Sequence, residues 1–213
     1  KSINLLVDLT NYILLEQGQP LHAFDKEKLS NLIGKEVSPQ DFSVRKAKDN
    51  ESLICLDGNN HELNENITII TCCDKPVAIA GVIGGLETSV TKTTSSIYLE
   101  GAVFNPVTIR KSSKEIGIRT ESSSRYEKGI SSKNTIGAVT RAINLIEDYF
   151  SINLPIINTS TFINKEDSFI KLRRSRIHKI LGQLIINDQM DKRELSDSEI
   201  VDKLRLIGCT CLL

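Results

Sequence analysis

Two side chains in this chain have the chemistry to handle a proton in an otherwise apolar setting. His22 lies in Gly18-Gln19-Pro20-Leu21-His22-Ala23-Phe24-Asp25, where a helical periodicity stops and a short apolar run starts. An ordinary imidazole exchanges protons near pH ~6.5, so a histidine aimed from such a junction could position or polarise a water. A core histidine satisfied by backbone is the competing reading. Glu100, in Tyr98-Leu99-Glu100-Gly101-Ala102, interrupts a strand-like apolar run. By alternation alone it could face solvent beside Tyr98 and Ala102. Asn11 is a weak helix former placed inside an amphipathic helix, which hints at a tertiary purpose. Gly81-Val82-Ile83-Gly84-Gly85 lacks the spacing of a dinucleotide fingerprint and reads as a tight strand-to-loop turn. Thr120 and Ser122 read as helix-capping hydroxyls.

The elements that must carry these residues follow from pattern. Leu5, Leu6, Leu9 and Ile13 recur at helical spacing, Gly18 closes that helix and Pro20 cannot continue it. Strands are expected over Phe42–Ala47, Leu53–Leu56, Ile67–Thr71, Val77–Val82 and Ile97–Val103, with a turn at Asp57-Gly58-Asn59-Asn60. Asn105-Pro106 opens a helix that Gly117 ends, and Ser124 to Glu127 matches a capping box closed by Gly129. Ile136, Val139, Ile143, Ile146 and Phe150 form a stripe expected to be core. Ile152 to Lys165 is expected to be a connector or a return strand. Ser196 to Glu199 opens a last helix ending at Gly208. Strands followed by helices, without alternation, indicate an α+β fold with a mixed or antiparallel sheet core and flanking helices, then a small helical domain cut short.

The 213 residues allow one ordinary domain (1–165) plus a remnant (166–213). Basic and acidic residues balance at 27 each, so no domain-wide field holds nucleic acid. The dense basic run Lys171, Arg173, Arg174, Arg176 and Lys179 reads equally as a solvated helix face or a phosphate contact. No segment approaches the ~18 apolar residues of a membrane span, and the first residues lack a signal-peptide layout. Five cysteines without framework spacing suit a reducing cytosol, so a soluble cytoplasmic protein is expected. Three histidines without Cys-x-x-Cys give no basis for a structural zinc site. A serine-hydrolase elbow, a P-loop and a nucleophile with a recognisable histidine partner are all missing. An enzyme built from these residues would position water and substrate.

Read as units, VDLTNYILLEQGQPLHAFDKEKL, LICLDGNNHEL, PVAIAGVIGG and IYLEGAVFNPVTIRKSSKEIGIRTESSSRYEKG follow one another from about Leu6 to Gly129. In order and approximate spacing they resemble the editing domain of the bacterial phenylalanyl-tRNA synthetase beta subunit. KLRRSRIHKILGQLI is similar to the start of the next module of that subunit, so the chain reads as a fragment. One departure stands out: Glu127-Lys128-Gly129 runs into Ile130-Ser131-Ser132 where the family continues with aspartate and proline.

The resemblance implies hydrolysis of tyrosine mistakenly esterified to the phenylalanine tRNA, an ester that needs little beyond orientation and one polarised water. It implies that Glu100 takes the tyrosine hydroxyl and that Gly81 and Gly84 line the amino-acid pocket. Thr120 would lie in that pocket, with Ser122 at a position kept small. Asn11 would sit near His22, the two orienting the water or the terminal adenosine. A carboxylate that accepts a phenol proton would be left desolvated and unpaired by phenylalanine, which gives discrimination. No cofactor is implied within this chain. ATP and magnesium would belong to aminoacylation with the synthetase alpha subunit, in a heterotetramer of two alpha and two beta subunits. The alternative in the same family is a non-catalytic RNA-binding or subunit-assembly module. A free small-molecule-binding α+β domain is a third reading.

Overall fold

A computed structural model describes residues 2–152, 154, 169–186 and 191–212. It divides into two compact units, Lys1–Phe162 and Ile163–Leu213. The first carries every residue singled out above for catalysis or substrate binding.

Helix α1 (Leu5–Gln17) starts where the Asn4 side chain accepts from the Val7 N–H and ends at Gly18, whose φ of 71° closes the last turn onto the Leu14 carbonyl. Strand β1 (Leu21–Asp25) follows at once, and Asp25 caps the next helix, α2 (Lys26–Ile33). A curled sheet comes next: β2 (Phe42–Lys46), the hairpin β3 (Ser52–Ile54) and β4 (Asn60–Glu62), then β5 (Thr68–Cys72), β6 (Lys75–Ile79) and β7 (Ile83–Gly84). The order β2-β5-β6-β7 is antiparallel throughout. Cys73 (φ 47°) and Asp74 (φ 66°) make the two-residue turn between β5 and β6, as a hairpin with left-handed central residues requires. Asp57-Gly58 supplies the expected turn between β3 and β4.

Strand β8 (Ile97–Gly101) does not join that sheet. It returns across the molecule and pairs antiparallel with β1, forming a separate two-stranded ribbon. One face of the ribbon places Leu21 and Leu99 against Leu9 and Ile13 of α1 and Ala138, Ala142 and Ile146 of α5 (Ser132–Phe150). The other places Phe24 and Tyr98 against Ile70, Cys72, Val77 and Ala78 of the sheet. The ribbon is thus the middle layer between helices and sheet. The fold is α+β with antiparallel sheets and flanking helices.

Two local expectations change. Helix α3 (Pro106–Glu115) begins at Asn105-Pro106 as its capping pattern predicts. The following capping box, however, belongs to Thr120 and Ser123, so α4 spans Glu121–Tyr126 and Ser124 is internal to it. A serine three residues before Glu127 imitates a start, but Thr120 has the extended backbone (φ −105°, ψ 169°) that a cap needs. In α5 the buried face is Thr135, Ala138, Ala142 and Ile146, while Ile136 and Phe150 are half exposed. Small residues are buried there because α5 lies tightly on Gly101, where an added Cβ would collide with Val139.

The second unit contains α6 (Arg174–Leu181), a two-stranded antiparallel hairpin of β9 (Leu184–Ile186) and β10 (Asp191–Arg193), and α7 (Asp197–Leu206). Ser196 and Glu199 form the expected capping box of α7. The hairpin adds strand structure to a region read from sequence as helical. The connector expected over Ile152–Lys165 lies, apart from residues 152 and 154, outside the described residues.

Candidate active site

Strand register creates the site. In the β1–β8 ladder His22 stands directly opposite Glu100, so residues 78 apart in sequence become cross-strand neighbours on one face. That face turns towards the sheet, which corrects the reading of Glu100 as a solvent-facing residue beside Tyr98. Tyr98 shares the face but is packed among Phe42 and its neighbours, with ring centroids 5.4 Å apart. His22 meets Phe24 edge to face at 4.5 Å, which fixes the plane of the imidazole.

Between this face and the sheet lies a cleft enclosing about 390 Å³, its open mouth included. Its walls are Pro20, Leu21, His22 and Glu100 of the ribbon, Gly81 to Gly84 of the β6–β7 segment, and Ser122 and Tyr126 of α4, with Ile70, Ala78 and Ile79 behind.

Both titratable groups are shifted by burial. The His22 pKa falls from 6.5 to about 4, so the imidazole is uncharged at neutral pH. The Glu100 carboxyl rises from 4.5 to about 7, with desolvation as the cause. Tyr126 is pushed well above its usual value by burial and by the nearby Glu100. Nε2 of His22 is enclosed and has no hydrogen-bond partner among the described residues. An unsatisfied buried polar atom costs about 1–3 kcal/mol, so this nitrogen favours any guest that can hydrogen-bond to it. Among the described residues no Lys or Arg lines the cleft. It is therefore a poor receptor for a phosphate or a free carboxylate, and a good one for a neutral group bearing a hydroxyl.

The glycines act differently from expectation. A Cβ on Gly84 would lie 2.7 Å from Nε2 of His22 and closer still to Cε1, so the imidazole rests on the space left by the missing side chain. Gly81 does border the cleft, yet its Cβ direction meets Phe104 and Tyr126 at 2.9 Å and Ile109 at 3.0 Å. With φ at 65°, it is glycine for backbone conformation and for packing behind the wall.

Five of the seven expected residues, His22, Glu100, Gly81, Gly84 and Ser122, line this one cleft. Thr120 stands behind it. Its hydroxyl donates to the Val82 carbonyl at 2.8 Å and accepts from the Ser123 N–H at 3.1 Å, fastening α4 to the β6–β7 segment. Asn11 is not brought in. It is exposed on α1, two residues from buried Leu9 and Ile13, and two residues turn a helix by about 200°, away from the buried face. Tyr126, Pro20 and the exposed Leu56, whose Cδ1 lies 3.3 Å from the Gly84 Cβ position, were not singled out beforehand. Tyr126 lies three positions after the buried Ser123 on α4 and so shares its inward face, a placement that follows only once the capping box is set at Thr120 and Ser123.

In the second unit the basic run is exposed along and before α6, and Arg174 faces Asp197 at 3.6 Å. His178 is held by Glu194 at 2.9 Å and by the Leu195 carbonyl at 3.1 Å.

Residues 1–151 match the B3/4 domain. Across 99% of its length the chain is 86% identical to the phenylalanine–tRNA ligase beta subunit of Prochlorococcus marinus (strain MIT 9312) and 71% identical to that of Prochlorococcus marinus subsp. pastoris (strain CCMP1986 / NIES-2087 / MED4). Across 97% of its length it is 46% identical to the same subunit of Prochlorococcus marinus (strain NATL2A). It spans 26% of the length of each of these relatives. By that match over most of its residues, the chain belongs to the B3/4 domain family.

Proposed function

We propose that the first unit is the editing part of a cytoplasmic phenylalanine–tRNA ligase beta subunit, and that it hydrolyses tyrosine wrongly esterified to the phenylalanine tRNA. The observation that carries this reading is the His22–Glu100 pair on one ribbon face, in a cleft without a basic side chain. A free amino acid brings a carboxylate, which such a cleft repels. An aminoacyl ester brings none. Its phenol can donate to Glu100, while the uncharged His22 holds the attacking water, or the ribose end of the tRNA, at the ester. Desolvation makes the Glu100 contact strong when a hydroxyl is present and costly when it is not. Aminoacylation, with its ATP and magnesium, belongs to the alpha subunit.

The test uses the complete ligase with tyrosine-charged and phenylalanine-charged tRNA. Wild type should shorten the lifetime of the tyrosine ester and spare the phenylalanine ester. Glu100→Ala should reduce that discrimination about 10- to 100-fold, in the range of the ~1–3 kcal/mol lost when a buried hydrogen-bonding group is left without its partner. Equal tyrosine-ester lifetimes with and without wild-type enzyme would remove the reading.

A further inference from the structure

A buried polar brace sits just beyond the end of the ribbon that carries His22 and Glu100. The next pair in the β1–β8 register would be Pro20 with Ala102, where the backbone ladder has already ended. Side chains continue it. The Gln19 amide, fully buried, donates to the Pro20 carbonyl at 3.0 Å and to the Ala102 carbonyl at 3.1 Å. The Tyr126 hydroxyl shares its proton between the same two carbonyls, at 3.3 and 3.2 Å, and receives a longer contact from the Gln19 amide at 3.5 Å. Thr135 of α5 completes the set by donating to Gln19 Oε1 at 2.8 Å. Three elements thus converge on the two strand ends, two residues from His22 on one strand and two from Glu100 on the other.

The geometry points to Gln19 and Tyr126, anchored by Thr135, as positioning residues that set the separation of His22 and Glu100 and so the fit of the hydroxyl-bearing guest between them. The inference rests on the editing reading for its link to specificity. The physical basis is that the two carbonyls, that of Pro20 buried and that of Ala102 partly buried, are acceptors just past the end of a two-stranded ribbon, which is marginal as an isolated unit. Cutting the brace frees the strand ends to splay. Two residues further in, that splay moves the acceptor for the phenol relative to the imidazole. A displacement of about 1 Å at such a place is enough to cost on the order of 10²-fold in rate.

Gln19 substitutions risk the fold, so the experiment relies on single-group deletions. Tyr126→Phe and Thr135→Val are made in the complete ligase, with Thr135→Ser as the variant that keeps the hydroxyl. For the tyrosine ester, Tyr126→Phe and Thr135→Val should each lower kcat/KM at least 10-fold and narrow the discrimination against the phenylalanine ester. Aminoacylation should be unchanged, and Thr135→Ser should restore discrimination. If discrimination is unaltered, or if both ester rates fall together in step with thermal stability, the brace is structural only and the inference fails. A second measurement does not depend on hydrolysis: the His22 imidazole is followed by NMR through a pH titration of the 213-residue chain. Tyr126→Phe and Thr135→Val should displace its resonances and its midpoint, and Thr135→Ser should not. Unmoved His22 signals would overturn the inference even if the ester is cleaved, whereas moved signals with an uncleaved ester would count against the editing reading alone.

Discussion

A methyl group at position 84 would run into the His22 ring, which also packs edge to face on Phe24. Gly84→Ala should therefore displace the imidazole while leaving the rest of the cleft in place. The expected outcome is loss of tyrosine-ester hydrolysis by about 10²-fold or more, with aminoacylation by the complete ligase retained; a rate within twofold of wild type would mean that His22 has no part in the reaction. This differs from a glycine that merely makes room for substrate, and only coordinates reveal the difference. From sequence, His22 is legible because Gly18 and Pro20 mark an abrupt change of element beside it. Glu100 is ambiguous by alternation, since both faces of the ribbon are covered and the usual distinction between wet and dry faces does not exist there. Asn11 was unreadable for another reason: a weak helix former on an exposed helix face costs only a few tenths of a kcal/mol and leaves no clear pattern.

Among the elements, α5 shows where periodicity misleads. Ile136, Val139, Ile143, Ile146 and Phe150 satisfy helical spacing, yet of these only Ile146 is buried, and the helix otherwise turns its small residues inward because Gly101 allows it to approach the ribbon closely. The controlling residue lies 31 positions before the start of α5, beyond any local window. Gly101→Ala should force Val139 and Thr135 outward and lower the unfolding free energy by about 1–3 kcal/mol, read from the midpoint of a urea titration. A midpoint equal to wild type would show that α5 can shift without penalty. Helix ends, by contrast, were largely legible. Asn105-Pro106, Gly18 and Ser196 with Glu199 act through local hydrogen bonds that no distant packing has to decide. The pairing of β1 with β8 was not legible, because nothing in either strand specifies a partner so far away in the chain.

At the scale of the whole molecule, the two titrating groups of the cleft pull stability in opposite directions. The folded Glu100 carboxyl keeps its proton up to about pH 7, whereas in the unfolded chain it ionises near 4.5, so its penalty grows as pH rises between those values. The folded His22 refuses a proton until about pH 4, whereas the unfolded imidazole takes one near 6.5, so its penalty grows as pH falls through that window. Between pH 4.5 and 6.5 the two pH slopes largely offset each other, so the summed penalty changes little. Glu100→Gln removes one of them, so its stability relative to wild type should rise from near zero at pH 4.5 to a plateau of about 1–3 kcal/mol above pH 7. A constant difference between the two proteins across that range, measured by urea unfolding, would exclude the burial-driven shift of Glu100.

The central ribbon has a consequence for how the protein comes into being. Synthesis of β1 is complete at Asp25, but its mate ends at Gly101, and at ~5–20 residues per second a ribosome takes about 4–15 s to deliver it. Throughout that interval Leu21, Ala23 and Phe24 belong to a nascent chain in which neither covering layer can dock on a finished ribbon. A translation pause between those points would prolong the exposure of this sticky segment to chaperones and to other growing chains. The cleft itself is consequently among the last features this domain acquires as it is made.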